Sequence, residues 1–156
     1  VAQHALDTFA PEAASRNITL QLHADGPVPL RGDRSEMDIV LNNLVSNAVK
    51  YNRDNGRVDV AVERRDATAV IRVADTGIGM SKEDCAKLFQ EFVRIKNAKT
   101  KDILGSGLGL SILKKLAVMY DGDVQVESEP DKGTTFTVIL RDAVQEHPPA
   151  EAVKTN

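Results

Sequence analysis

Two glycine clusters, about thirty residues apart, constrain this chain most: Asp75-Thr76-Gly77-Ile78-Gly79 and Gly105-Ser106-Gly107-Leu108-Gly109-Leu110. They hold five of the ten glycines in 156 residues. Glycine serves where the backbone needs positive φ or where something must approach it closely. The first cluster follows an apolar run, Ala69-Val70-Ile71-Arg72-Val73-Ala74, which reads as a strand. The second opens a stretch from Gly107 to Tyr120 that reads as an amphipathic helix, with Leu108, Ile112, Leu116 and Met119 on one face. Upstream of both lies Asn43-Leu44-Val45-Ser46-Asn47-Ala48-Val49-Lys50-Tyr51. Three such elements point to one composite pocket for a phosphate-bearing ligand.

The rest of the chain supplies a frame for that pocket. Residues 2–16 read as a helix broken near Pro11, followed by an alternating strand at Ile18–His23. Val28–Gly32 reads as a short edge strand, since Pro29 is barred from a central one. Asp33 with Glu36 three residues on predicts a capping box opening a helix to Tyr51. Strands are expected at Val58–Val62, Val124–Val126 and Thr135–Leu140, with turns at Asn55-Gly56 and Asp131-Lys132-Gly133. Ser81 and Asp84 open a short helix running to Phe89 or Phe92. The sum is an α+β two-layer sandwich, a mixed sheet with about three helices on one face. One domain is expected over 1–142, with residues 143–156 a disordered tail.

Composition narrows the function. A hydrophobic fraction of 42% with almost no aromatics requires an aliphatic core. The net charge of -3 argues against a nucleic-acid partner. A single cysteine, Cys85, excludes an internal disulfide and suits a cytoplasmic setting. No run of eighteen apolar residues and no signal-peptide pattern occurs, so no membrane contact is expected of this segment.

On a helix, Asn43, Asn47 and Lys50 share a narrow arc with Tyr51 at its margin. Met37, Leu41, Leu44, Val45 and Ala48 share another, which would pack on the sheet. Asparagine is a mediocre helix former, and an amide oxygen is an acceptable ligand for Mg²⁺, which relies largely on water and substrate phosphates. Asp75 ends a strand, where its carboxylate can accept from an amino group of a base lying against Gly77–Gly79. Adenine has that amino group; guanine presents a carbonyl oxygen there. The second cluster lacks the strand of a dinucleotide fingerprint and the Gly-Lys-Ser/Thr of a Walker A loop. It remains a glycine loop opening a helix, with amides and a positive dipole end for a phosphate. Arg94, Lys96, Lys99 and Lys101 crowd the long connection before it, which reads as a cationic lid.

From about residue 2 to 141, order and spacing resemble the catalytic and ATP-binding domain of bacterial sensor histidine kinases. These share the Bergerat fold with type II topoisomerase, heat-shock chaperone and mismatch-repair ATPases. Asn43 to Tyr51 resembles the N box, Asp75-x-Gly77-x-Gly79 the G1 box, and Phe89-x-x-Phe92 with Arg94 the F box. Gly105-x-Gly107-Leu108-Gly109-Leu110 resembles the G2 box, and Gly133-Thr134-Thr135-Phe136 the closing GTxF element. The resemblance implies ATP and Mg²⁺ as ligands. Asp75 would hold the adenine amino group, helped by Thr134 or Thr135 through water, with Tyr51 against the base. Asn47 would coordinate Mg²⁺, with Asn43, Lys50 and Arg94 near the phosphates. Gly77, Gly79, Gly105, Gly107 and Gly109 would let the backbone close on the nucleotide, together with Phe92, Leu108 and Leu110. Ser106 stands where threonine is common, and Asp121-Gly122 replaces a usual Gly-Gly, which affects a turn and not chemistry.

Hydrolysing relatives carry a glutamate base where Asn43 stands, and an amide cannot take a proton at neutral pH. The resemblance thus implies a kinase that waits for a histidine on a separate dimerisation domain and passes phosphate to a response regulator. His4, His23 and His147 lack the context of that phosphoacceptor. A serine-directed kinase of anti-sigma type and a non-catalytic nucleotide-binding module are the alternatives.

Overall fold

The computed structural model describes residues 1–24, 26, 28, 32–66, 68–87 and 108–141. Its elements are α1 (Ala2–Ser15), β1 (Thr19–His23), α2 (Arg34–Lys50), β2 (Arg57–Arg65), β3 (Thr68–Asp75), α3 (Lys82–Lys87), α4 (Leu108–Met119), β4 (Asp123–Glu129) and β5 (Gly133–Arg141). The strands form one sheet in the order β1-β2-β3-β5-β4. β1 and β2 pair in parallel, and the other pairs are antiparallel. Val58, Val60, Val73, Phe136, Val138 and Leu140 are buried on the face that α1, α2 and α4 cover. Arg72, Gln125 and Glu127, at alternate positions, are exposed on the other. This is the expected two-layer α+β sandwich.

α2 packs against both α1 and α4 and lies over β2 and β3. Leu41, Leu44, Val45 and Ala48 are buried as their spacing predicts, and Val40 and Val49 join them. Full burial of one such aliphatic side chain contributes about 1.5–3 kcal/mol, far more than the few tenths lost to each asparagine on the helix. Asp33 caps α2, its carboxylate accepting from the Ser35 N–H at 2.7 Å and the Glu36 N–H at 3.3 Å. The reciprocal half of the capping box is modified. Glu36 does not reach back to the Asp33 N–H; the Tyr120 hydroxyl stands between, accepting from that N–H at 2.9 Å and donating to Glu36 at 2.6 Å.

α1 and α4 end alike. Asn17 (φ 55°) and Asp121 (φ 53°) take the left-handed position. The next residues donate back across the turn, Ile18 N–H to the Ala13 carbonyl and Gly122 N–H to that of Ala117, each at 2.8 Å. That is the Schellman closure, and an aspartate serves where glycine was expected because Asp tolerates this region.

Several expectations need correction. Pro11 lies inside a continuous α1. It has no N–H for the Asp7 carbonyl, but both residues are exposed, so water can replace that bond. On α4 the residues described as buried are Ser111, Leu113, Leu116 and Ala117, with Tyr120 buried just past its end, whereas Ile112 and Met119 are 41% and 62% exposed. This helix is apolar nearly all round, so docking and not periodicity selects its buried face. Val28 and Gly32 are not in a strand, and β1 and β4 hold the sheet's edges. The tail expected from 143 lies outside the described residues.

Candidate functional site

The end of α2 anchors the site. Asn43, Asn47 and Lys50 lie half-buried along its edge, away from the buried stripe. No described residue bonds the side-chain amides of Asn43 or Asn47. Tyr51 caps the helix, and its carbonyl accepts the Ile78 N–H at 3.0 Å. Arg16 closes the same end from α1, donating to the carbonyls of Val49 at 2.7 Å and Asn52 at 2.5 Å. Asn52, only 4% exposed, accepts from the Thr76 hydroxyl at 3.1 Å and donates to the Arg57 carbonyl at 3.1 Å. The end of α2 and the glycine turn after β3 are therefore one bonded unit.

That turn also rests on the β4–β5 hairpin. The Asp131 N–H donates to the Ile78 carbonyl at 2.7 Å, and the Met80 N–H to Ser128 Oγ at 2.8 Å. Arg53 ties the carbonyls of Gly77 and Asp131 together at 3.1 and 3.0 Å. A Cβ on Gly77 would stand 2.1 Å from the Tyr51 carbonyl oxygen. On Gly79, at φ +70°, it would stand 1.9 Å from that of Glu129. Both glycines are thus required first by the protein's own backbone, before any question of a ligand's approach.

Asp75 sits where these contacts converge. Its Oδ1 accepts the N–H groups of Gly77 at 2.8 Å and Thr134 at 3.3 Å. No described residue donates to Oδ2. Burial pushes the carboxyl up to about 6, and the two amide donors pull against that rise. Thr134 pairs with Asp75 across the β3–β5 ladder, whereas Thr135 pairs with Ala74. Because strand side chains alternate, only Thr134 shares the face of Asp75, and Thr135 is directed to the other side.

The structure thus brings Tyr51, Asp75, Gly77, Gly79 and Thr134 together, with Asn43, Asn47 and Lys50 on the adjoining helix. Leu108, Gly109 and Leu110 form the first described turn of α4. Phe92, Arg94, Gly105, Ser106 and Gly107, with the lid lysines, lie outside the described residues. Sequence reasoning missed Asn52, Arg53 and Ser128. A signal existed for Ser128, a polar residue continuing the inward parity of Val124 and Val126. Nothing local marks the other two. Burial and the neighbouring Asp84 raise the pKa of the Cys85 thiol, which suits an inert role. Among the described residues no group of three His, Cys, Asp or Glu could hold a metal, and no helix is long and apolar enough to cross a membrane.

Residues 32–144 match the family model described as histidine kinase-, DNA gyrase B- and HSP90-like ATPase. The chain belongs to this family. It is 39% identical over 143 residues to the sensor-like histidine kinase SenX3 of Mycobacterium tuberculosis, covering 86% of this chain and 35% of SenX3. The chain thus spans about a third of that relative's length. Among solved structures, the catalytic domain of histidine kinase ThkA superposes with a TM-score of 0.78 at 24% identity, over 90% of this chain and 91% of that one. It shares the fold. Full-length ShkA in complex with AMPPNP gives 0.77 at 27% identity, over 89% of this chain and 28% of that one.

Proposed function

We propose that this ATPase-family domain binds ATP with adenine at Asp75 and delivers the γ-phosphoryl group to a histidine on a separate helical dimerisation domain. Onward transfer would go to an aspartate of a response regulator. The observation that carries this reading is the Asp75 carboxylate, with one oxygen fixed by two backbone amides and the other free of described donors. Adenine's amino group would satisfy that oxygen. Guanine's carbonyl would leave it unpaired, at a cost of about 1–3 kcal/mol.

Tyr51, beside the glycine turn, would lie against the base. Lys50 and Asn43 would meet the phosphates, as would the first-turn amides of Leu108, Gly109 and Leu110 at the positive end of α4. Arg94 would stand near the phosphates, and Phe92, Gly105, Ser106 and Gly107 would take the nucleotide-binding roles that the family implies. The unpaired Asn47 amide fits Mg²⁺, a metal that needs few protein ligands and no acidic cluster; when bound it would neutralise phosphate charge. Asn43 cannot deprotonate water, so the domain would hold ATP until a neutral imidazole nitrogen attacks the γ-phosphorus. The bond from that phosphorus to the β–γ bridging oxygen then breaks and ADP leaves, a step governed by positioning and charge stabilisation. Support comes from SenX3, a sensor-like histidine kinase by name, and from ShkA, a relative solved with AMPPNP.

Calorimetric titration with Mg-ADP tests the reading. Wild type should bind, Asp75→Asn should lose binding, and Asn47→Ala should lose its magnesium dependence. With γ-labelled ATP the domain alone should stay unlabelled while labelling a histidine-bearing helical hairpin. If both variants bind like wild type, or stable label accumulates on this chain, the proposal fails.

A further inference from the structure

Asp75, Thr134 and Ser128 form one row across β3, β5 and β4, each paired with the next in register. Ser128 Oγ makes three contacts, one of them within that row. It meets the Met80 N–H at 2.8 Å, the Gly133 carbonyl at 3.0 Å and the Thr134 hydroxyl at 2.7 Å. A hydroxyl has one proton and two lone pairs. The amide can only donate and the carbonyl can only accept. All three contacts are satisfied together by a single assignment. Ser128 gives its proton to Gly133 and accepts from both Met80 and Thr134. Thr134 has then spent its proton on Ser128, and what its oxygen can offer on the Asp75 side is lone pairs alone.

We infer that Ser128 is a specificity-determining positioning residue, which orients the Thr134 hydroxyl so that the base-binding edge presents only acceptors. This rests on adenine lying at Asp75, as proposed above. An acceptor-only edge favours a 6-amino purine and penalises a 6-oxo purine, whose oxygen needs a donor. Freed from Ser128, the Thr134 hydroxyl can turn and supply that donor. Ser128 thus acts through Thr134 and touches no substrate.

The test compares the Kd of ADP with that of IDP by calorimetry, since hypoxanthine differs from adenine in its 6-oxo group and the accompanying N1 proton, without guanine's added amino group. Wild type should prefer ADP. In Ser128→Ala the preference should fall by roughly threefold to tenfold, the range of one redirected hydrogen bond. In a Thr134→Val background, with no hydroxyl to turn, Ser128→Ala should leave the ratio unchanged. Ser128→Cys, a weak acceptor, should act in the same direction as Ser128→Ala and serves if the alanine variant does not fold. An unchanged ratio with both affinities falling together would make Ser128 a mere hairpin prop and overturn the inference. So would an equal fall in the Thr134→Val background. Equal affinity of wild type for ADP and IDP would instead overturn the adenine reading itself.

Discussion

Asp75 is a carboxylate whose surroundings oppose its charge until a donor arrives. Its value near 6 in the free domain stands above the ordinary 3.8 because burial outweighs the two amide bonds. The folded state therefore holds this proton more tightly than the unfolded chain does. The associated stability is complete below about pH 4 and is lost as pH rises through 6, a cost on the order of 3 kcal/mol at neutral pH. Asp75→Asn should accordingly make the free domain more stable than wild type by about 1–3 kcal/mol at pH 7.5, with the gap closing near pH 4 in urea titrations. Nucleotide binding should run the other way, because an amino group needs the ionised form. The Kd for ADP should rise as pH falls below 6, approaching tenfold per unit. A flat profile from pH 5 to 7.5 would show that this carboxylate does not hold the base. The sequence marked Asp75 because it ends an apolar strand just before glycines. Its neighbour Thr134 could not be told from Thr135 without the ladder register.

At the scale of elements, closure of helix ends is partly local and partly borrowed. Asp33 caps α2 through amides two and three residues away, and the sequence shows this plainly. The Tyr120 hydroxyl that completes the cap comes from beyond the end of α4 and no local pattern announces it. Tyr120→Phe should leave the Asp33 N–H and the Glu36 carboxylate without this partner and cost about 1–2 kcal/mol, read from the urea midpoint at constant slope. A loss under about 0.5 kcal/mol would mean that Glu36 swings back to complete an ordinary capping box. The buried face of α4 was similarly illegible. Ile112 and Leu113 are equally apolar, and only packing against α2 and the sheet separates them.

Across the whole molecule, Arg16 joins parts that are distant in sequence. From the end of α1 it grips the last carbonyls of α2 and the Asn52 carbonyl, and it pairs with Asp54 at 3.0 Å. Its positive charge also suits the negative end of the α2 dipole. Arg16→Met keeps the apolar stem and should still cost about 2 kcal/mol or more. It should also weaken ADP binding, because the helix end that carries Asn47 and Lys50 loses its clamp. Unchanged ADP affinity in the folded variant would confine Arg16 to stability. What the sequence alone determined was most of the elements, the acid at a strand's end, the amide edge of α2 and the family they resemble. It did not show that Val28 and Gly32 lie outside any strand or that α1 continues through Pro11. Periodicity, caps and glycine placement are written in neighbouring residues. What the tertiary structure decided was which threonine meets Asp75, which face of α4 is buried, what the glycines of the first cluster touch, and how Arg16, Arg53 and Ser128 bind the parts together. These depend on the register and docking of segments such as β3 and β5, whose Asp75 and Thr134 are 59 residues apart, and no local pattern encodes a contact over that distance.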